Sequence, residues 1–350
     1  MAQINKPNLH FNTKLYTGNA SYGHGITGVG FQPDFVWIKR RDGNARNHEL
    51  YDAVRGTDKA IYSSSNGTEV TGVNLLHSFD SDGFTVDDHA GINSANNFVS
   101  WNWKTGTTGS GSTTGSGTSK TYNYSVNTTS RFSITKYAGN GNSGHTIPHS
   151  LGTTPTLIMV KELNGNDYWR VYHPALTTNY NLYLNTTHAQ DSAGDGYVTN
   201  VGSTTFGFGG SSNTNTVNQD GLDYIAYCFA DVTGYSKFES YKGNGNADGA
   251  FVYTGFKPAF VIVKRTNSTG NWQLLDTKRL GYNVENRTIY PNSDIAEQDE
   301  DDADILSNGF KLRGTGTDVN GNGDTYIFMA FAEEPLVVNL TPNGIPATAR

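Results

Sequence analysis

The strongest constraint on the fold is one phrase that occurs three times along the chain. The sequence "GFQPDFVWIK" begins at Gly30, "GFKPAFVIVK" begins at Gly255, and a more divergent copy, "LGTTPTLIMVK", begins at Leu151. A Tyr-x-Gly-Asn sequence precedes each copy, and its tyrosine lies 17, 18 and 17 residues before the proline of the phrase. Such near-constant spacing indicates an internal repeat.

Three further landmarks follow each phrase in the same order. They are a short run ("HELYD", "WRVYH", "WQLLD"), a turn before a phenylalanine ("SDGFTV", "STTFGF", "SNGFKL") and a closing run ("FVSWNWK", "YIAYCFA", "YIFMAFA"). The closing run begins 65, 69 and 68 residues after the proline. We therefore predict three units, called here the first, second and third segments, at residues 11–104, 121–234 and 235–334. An N-terminal arm (1–10) and a C-terminal tail (335–350) flank them.

Residues 105–120 are of a different kind. The stretch "TGTTGSGSTTGSGTSK" contains no large apolar side chain that could be buried, and Gly/Ser-rich stretches behave as flexible coils. We expect a flexible linker here. Almost no linker separates the second and third segments, so these two are predicted to pack together, with the first segment tethered to them.

The hydrophobic pattern favours strands throughout the chain. In the first closing run Val99, Trp101 and Trp103 alternate with Phe98, Ser100 and Asn102, and this period of two is typical of a strand with two different faces. The Asp-Gly and Asn-Gly turns predict hairpins in which Gly83 and Gly309 supply a positive φ. The predicted fold is all-β, as three tandem β-sandwich repeats of the jelly-roll or lectin-like type, with Lys39 pointing outward at its strand end.

Composition and charge exclude several classes of protein. A net charge of −7 argues against nucleic-acid binding, and the basic stretch "KRRDGNAR" is interpreted as a solvated strand end rather than a phosphate site. The single cysteine, Cys228, leaves no disulfide framework and is interpreted as a buried filler. No signal sequence or membrane-spanning run is recognisable, so synthesis in a cytoplasm is expected.

Positions shared by the segments are interpreted as scaffold. Trp169 and Trp272 could stack on sugars, but both occupy the same slot of the repeat, which favours the scaffold. The same reasoning applies to a lysine at the end of each phrase: Lys39, Lys161 and Lys264. The pair His145 and His149 contains Pro148 between its members and does not form a helical metal motif. No catalytic residue is predicted, and the protein is expected not to be an enzyme.

Acidic residues leave three alternatives open. The pairs Asp80/Asp82 and Asp87/Asp88 could act in hydrolysis, although a turn role is favoured. The run "EQDEDDAD" (297–304) is interpreted as a solvated loop, with a cation-dependent contact as the alternative. "DVNGNGD" spaces four oxygen donors like the start of a calcium loop, but its twelfth position is Met329 instead of glutamate. A hairpin turn is favoured, and no other cofactor is predicted, so calcium stays the alternative; the candidate ligands are Asp318, Asn320, Asn322 and Asp324.

The first-segment motifs "YTGN", "GFQPDFVWIKRRDG", "LYDAVRG", "SFDSDGFTV" and "NFVSWNWK" resemble a repeat module of virion proteins from marine bacteriophages and cyanophages, itself similar to concanavalin-A-like lectin sandwiches. The resemblance covers residues 11–333, although the second segment lacks the Gly-Phe and the Asp-Gly turn. It implies a non-enzymatic structural protein of the virion, such as a tail fibre or appendage that attaches to the host surface.

The partners implied by this resemblance are other virion proteins, a host-surface glycan or receptor, and copies of the chain itself in a homo-oligomer such as a trimer. Neither nucleic acid nor a membrane span is implied. The expected location is the virion, after synthesis in the host cytoplasm. Two alternatives stay open: a capsid decoration protein that stabilises or bridges capsomers, and a glycan-binding or glycan-cleaving protein.

Overall fold

A computed structural model describes residues 3–192, 196–209, 217–279, 283, 285–338 and 345–346. Over these residues the chain is essentially all-β, as predicted, and its helices there are the short ones at Pro7–Leu9 (a 3-10 turn), Ala90–Asn93 (α1) and Thr317–Asn320 (α2). The predicted C-terminal tail lies largely outside the described residues.

The first segment forms two sheets. Its strands are β1 (Phe11–Thr17), β2 (His24–Thr27), β3 (Phe35–Arg40), β4 (Glu49–Asp52), β5 (Gly56–Tyr62), β6 (Val70–Thr71), β7 (Leu76–Asp80), β8 (Gly83–Val86) and β9 (Asn97–Trp103). One sheet has the order β1-β9-β3-β4-β5-β6 and the other has the order β2-β8-β7.

The described residues of the second segment, together with the stretch before it, also form two sheets. The strands are β10 (Thr107–Ser112), β11 (Thr114–Gly115), β12 (Thr121–Asn127), β13 (Phe132–Ala138), β14 (His145–Pro148), β15 (Leu157–Glu162), β16 (Arg170–Tyr172), β17 (Tyr197–Thr199), β18 (Thr205–Gly209) and β19 (Asp223–Phe229). Their orders are β10-β12-β13-β19-β15-β16 and β11-β14-β18-β17.

The third segment follows the same plan. Its strands are β20 (Ser236–Lys242), β21 (Phe251–Tyr253), β22 (Phe256–Arg265), β23 (Trp272–Asp276), β24 (Glu285–Thr288), β25 (Gln298–Leu306), β26 (Gly309–Leu312) and β27 (Thr325–Pro335), and β28 (Val337–Val338) pairs with β29 (Ile345–Pro346) beyond it. The sheets have the orders β20-β27-β22-β23 and β21-β26-β25-β24.

A common antiparallel order runs through one sheet of each segment. It is β1-β9-β3-β4 in the first segment, β13-β19-β15-β16 in the second and β20-β27-β22-β23 in the third. We call these the inner sheets, and the sheets containing β2, β14 and β21 the outer sheets. In each inner sheet the closing run lies beside the strand of the repeated phrase, so the two most apolar stretches of each segment are neighbours.

The two faces of each inner sheet contribute to different cores. Along β9, Trp101 and Trp103 belong to one large cluster that includes residues of all three segments, whereas Phe98 packs against the outer sheet of its own segment. The closing runs β19 and β27 divide in the same way. The predicted alternation of a strand with two different faces is therefore confirmed, and one of the two faces is shared among the segments.

The shared core joins every pair of segments through aromatic rings. Ring centroids lie 4.5 Å apart between Phe35 and Tyr227, which joins the first and second segments. Contacts at 5.5 Å (Trp103 with Phe260) and 5.8 Å (Phe229 with Phe331) join the first to the third segment and the second to the third. Because the first segment packs against both of the others, the prediction that it is only tethered to them is wrong.

The predicted flexible linker is also wrong, since residues 107–112 form β10 and pair with β12. The glycines of this stretch allow the pairing. A Cβ atom on Gly109 would lie 2.6 Å from the hydroxyl of Tyr124, and one on Gly111 would lie 2.9 Å from the ring of Tyr122. Tyrosine rings thus cover the strand where it has no side chains of its own, which a count of apolar residues within the stretch does not reveal.

Both predicted hairpins are present, because Asp80 pairs with Gly83 and Leu306 pairs with Gly309. The expected reason for the glycines holds only in part. Gly83 has a φ of 148°, but Gly309 is not among the residues with positive φ. At both positions a Cβ would lie 2.0 Å from a carbonyl oxygen of the adjacent strand. Close backbone approach therefore explains the recurrence of glycine in this slot.

Candidate functional site

The Tyr-x-Gly-Asn motif closes a loop in the same way in each segment. The tyrosine hydroxyl donates a hydrogen bond of 2.7 Å to a main-chain carbonyl in all three; the pairs are Tyr16 with Ile92, Tyr137 with Val217, and Tyr241 with Val319. The next residue after that carbonyl is an asparagine whose Oδ1 accepts from the backbone N–H of the motif's own asparagine; these acceptors are Asn93, Asn218 and Asn320. The motif is structural.

The lysines at the ends of the repeated phrases are buried, at 0–1% exposure. The expectation that Lys39 points outward is therefore wrong. Each ammonium group donates to a carbonyl oxygen of a neighbouring segment: Lys39 to Asp294 (3.1 Å), Lys161 to Asn66 (3.1 Å) and Lys264 to Thr187 (3.1 Å). Each also donates to a carbonyl of its own segment. Burial lowers the pKa of all three to about 8, against the usual value of 10.5.

A second set of contacts uses the ring N–H groups in the run that follows the phrase. His48 Nε2 donates to the carbonyl of Tyr290 (3.0 Å), Trp169 Nε1 to that of Tyr62 (2.9 Å) and Trp272 Nε1 to that of Tyr183 (2.9 Å). The two tryptophans are 0% and 4% exposed. Their interpretation as scaffold is confirmed, because no sugar ring can reach a buried indole.

His48 can replace tryptophan in this slot because its environment fixes one tautomer. Trp37 Nε1 donates to His48 Nδ1 at 2.8 Å, so the proton of a neutral ring resides on Nε2 and faces the Tyr290 carbonyl. Burial, with Lys39 as a lesser cause, holds the His48 pKa well below 6.5. The ring is therefore neutral at pH 7 and acts as an N–H donor, like an indole.

A third set of contacts joins the main chains. The N–H of Glu297 donates to Arg41 (2.9 Å), that of Glu69 to Leu163 (2.6 Å) and that of Gln190 to Thr266 (2.8 Å). In each case the acceptor lies two residues after the buried lysine, and the donor lies seven residues after the tyrosine whose carbonyl binds the ring N–H. The three sets follow one cyclic order in which the first segment contacts the third, the third contacts the second and the second contacts the first. We call these contacts the junctions.

Two junctions contain a buried ion pair. Asp52 is fully buried and accepts hydrogen bonds from Arg55 Nε (2.5 Å) and from the hydroxyl of Tyr227 in the second segment (2.7 Å). Asp276 accepts in the same way from Arg279 Nε (2.6 Å) and from Trp101 Nε1 of the first segment (3.0 Å). Burial opposes the charge on Arg55, yet Asp52 raises the pKa of that guanidinium.

The acidic run at 297–304 is not the solvated loop that the sequence suggested. Residues 298–306 form β25, paired with β24 and β26. Glu297, just before this strand, accepts from Arg41 (3.0 Å) in the first segment and from Arg279 (3.2 Å). The same ion pair shows that "KRRDGNAR" is not simply a solvated strand end. The acidic run and the basic stretch thus each contribute to an ion pair between parts of the chain that are distant in sequence.

The calcium candidates are engaged in protein contacts. Asn320 Nδ2 donates to the carbonyls of Asn246 and Gly314. Asp324 pairs with Arg265 (2.6 Å), and Asp318 accepts from Asn271 (3.1 Å). The remaining candidate, Asn322, packs its Cβ near Gly245. Within the described ranges, no group of three or more His, Cys, Asp or Glu side chains is arranged to hold a metal ion.

The other sequence candidates lie apart from one another. His145 bonds to Asn218 (2.7 Å), and His149 bonds to the carbonyl of Gly202 (3.1 Å). Asp82 accepts backbone N–H groups at the turn, Asp80 accepts from hydroxyl groups, and Asp87 lies 3.3 Å from His77. Asp88 is exposed. Cys228 is buried, and burial raises the pKa of its thiol, as expected of an unreactive filler.

One cluster of titratable groups was missed by the sequence reasoning. The buried Glu49 accepts from the hydroxyl of Tyr51 (2.5 Å) and lies 3.2 Å from Nδ1 of His89, whose pKa the Glu49 carboxylate raises. In the third segment Gln273 occupies the slot of Glu49 and lies 3.4 Å from Glu300. A carboxylate is therefore present at this place in both segments, supplied by different strands. No sequence signal links the two.

The chemistry open to the junctions is limited by access. Lysines of lowered pKa can act as nucleophiles or bases in other settings, but a substrate cannot reach these three, which are almost fully buried and donate to carbonyl oxygens. The junction groups therefore bind side chains and main chain of one segment to main-chain carbonyl groups of the next. One signal was available in advance, since His48 falls in the slot of two tryptophans and all three share a ring N–H.

The comparisons with known proteins give a family and no activity. No curated protein and no solved structure matches the chain. No helix in the described ranges is long and apolar enough to cross a membrane. One family matches, over residues 6–335, a range that includes all three segments and the stretch between the first two. The chain therefore belongs to the family described as "Domain of unknown function (DUF7483)".

Proposed function

We propose that this chain is a non-enzymatic structural protein of a bacteriophage virion, a fibre or appendage protein that takes part in attachment to the host surface. We further propose that its three segments are copies of one β-sandwich module. The partners in this proposal are other virion proteins and a host-surface glycan or receptor. The sequence resemblance to virion repeat modules suggests the particle, and the geometry of the junctions supports the structural role.

The cyclic repetition of the junction contacts is the observation that carries the proposal. Each junction combines a buried ammonium, a ring N–H and a backbone N–H, all donating to carbonyl oxygens across the boundary. Buried polar groups rigidify a protein when all of them are satisfied. A body closed in this way keeps its surface loops in fixed relative positions, which suits a component that transmits force or presents a binding surface.

Capsid decoration is the second candidate, and the threefold arrangement favours it specifically. Three segments in cyclic order within one chain resemble the arrangement of three chains in a homotrimer, so one copy could lie on a local threefold position of a capsid. No junction needs a second chain to complete it. A homotrimer, such as those expected of a fibre, would therefore form through other surfaces, and native mass spectrometry of the purified chain distinguishes the two arrangements.

Antibody labelling of purified particles tests the proposal. Gold-labelled antibody against the chain should bind particles of the phage that encodes it. Label at distal fibres supports attachment, and a regular pattern over the head supports decoration. Absence of the chain from purified particles, checked by mass spectrometry of their proteins, would overturn the virion role altogether.

A further inference from the structure

Two exposed aromatic residues lie on one face of a strand in the outer sheet of the third segment. Phe251 and Tyr253 are 47% and 51% exposed, while Val252 between them is buried in the core of that segment. Residues i and i+2 of a strand face the same side and lie roughly 7 Å apart. The strand that carries them, β21, is at the edge of its sheet. We call these two rings the aromatic platform.

The platform is absent from the equivalent strands of the other segments. Val252 pairs with Phe310 in the third segment, as Ile26 pairs with Phe84 in the first and Ile147 with Phe206 in the second. This register places Gly25 and Thr27, or Thr146 and Pro148, where the two aromatic residues lie. The scaffold therefore does not need aromatic side chains at these positions, and their presence in one segment calls for another explanation.

The surroundings of the platform favour a ligand that combines an apolar face with polar groups at its edge. A Cβ on Gly309 would lie 3.1 Å from Cε2 of Phe251, so this ring packs over the glycine backbone. The Lys237 ammonium lies 5.6 Å from the centroid of the Tyr253 ring. Ion pairs beside the rings join Lys237, whose ammonium lies over the Tyr253 ring, with Glu239 (3.2 Å), and Lys311 with Asp248 (2.7 Å). They supply donors and acceptors beside apolar faces.

We infer that the platform binds a glycan through the faces of its pyranose rings. The C–H groups on one face of a pyranose are apolar and slightly positive, which complements the negative face of an aromatic ring, and its hydroxyl groups can bond to the charged groups beside the rings. The two half-exposed rings offer on the order of 200 Å² together, far below the roughly 800 Å² per partner of a stable protein interface. A strand of three residues is also too short to template a partner strand. This inference gives the proposed attachment role a ligand class and rests on that role.

Binding of the full chain to an array of pyranose oligosaccharides tests the inference, with affinities for the bound sugars measured by isothermal titration calorimetry. The wild-type chain should bind at least one oligosaccharide, and Phe251→Ala and Tyr253→Ala should each weaken that binding at least tenfold. Tyr22→Ala, which removes an exposed ring from the first segment, should leave it unchanged and is the matched control.

Three results would overturn the inference. They are no binding to any oligosaccharide, binding that both platform variants retain, and a concentration-dependent dimer in sedimentation that Phe251→Ala abolishes, which would assign the platform to a second copy. The virion proposal fails separately, since particle labelling does not depend on the platform.

Discussion

Replacing Asp52 by asparagine should reveal whether the three segments unfold together. The carboxylate is fully buried and holds Arg55, whose side chain is also fully buried. Removing one member of a buried pair leaves an uncompensated charge and costs about 3–5 kcal/mol. Glu69 still lies 3.2 Å from Arg55 and compensates in part, so we expect the lower end, about 3 kcal/mol. With an unfolding entropy of about 2.1 cal/mol/K per residue, the melting temperature should fall by about 4 °C.

Calorimetry and urea unfolding check this expectation. Because Tyr227 of the second segment also donates to Asp52, the variant should keep a single unfolding transition at a lower midpoint. Asp276→Asn should behave alike, and Asp220→Asn, on an exposed pair with Lys120, should not shift the midpoint. A separate early transition for the first segment, with the remainder unchanged, would refute the shared core.

Three further predictions concern stability measured by urea unfolding. Trp169→Phe removes an indole donor across a junction and leaves the Tyr62 carbonyl with the longer bond from the Ser65 N–H (3.4 Å). We expect a loss of about 1–3 kcal/mol, and a loss near zero would contradict the junction. Gly309→Ala would place a Cβ 2.0 Å from a carbonyl oxygen. It should reduce stability by more than about 2 kcal/mol, within the range of overpacked variants. The control Gly316→Ala has open space around the new Cβ and should reduce stability by less than about 1 kcal/mol. The pKa of Lys264 is lowered by burial to about 8 in the folded chain, against 10.5 as its usual value. Between these pH values the unfolded state binds more protons than the folded state, so the free energy of unfolding should rise from pH 8 towards pH 10. If the three buried lysines contribute equally, Lys264→Met should reduce the slope of stability against pH by about a third. An unchanged slope would show that the lysine is not desolvated.

The sequence was sufficient for local structure and insufficient for how the segments meet. Period-two patterns and the Asn-Gly turn placed β9 and the hairpin at Gly309 correctly, because these depend on neighbours in the chain. The shared core was not predicted. An apolar strand face has the same pattern whether it packs within one sandwich or against a neighbouring segment.

For the candidate sites, too, the sequence predicted local roles but not contacts between segments. The recurring slot of Trp169 and Trp272 predicts a scaffold role. The sequence predicts an exposed Lys39, because a charged residue at a strand end normally reaches water. Its carbonyl partner lies 255 residues away in sequence, and no local pattern encodes such a contact. The platform at Phe251 was also missed, because exposure on an outer sheet becomes visible only when the register is known.

The second segment shows why the residues around a junction ion pair can be replaced by neutral residues only together. Where the other segments have aspartate and a following arginine, it has His173 and Leu176, and the residue in the slot of the donating tyrosine or tryptophan is Met329. Burial lowers the pKa of His173 to about 4, so the ring is neutral at pH 7. This junction therefore buries no charge at these positions and needs no counter-ion. Replacement of a whole buried ionic set by neutral residues can be neutral or stabilising, whereas loss of one member is costly. The same fold thus accommodates an ionic and a neutral junction, and the damage expected from changing Asp52 alone comes from the arginine it leaves behind.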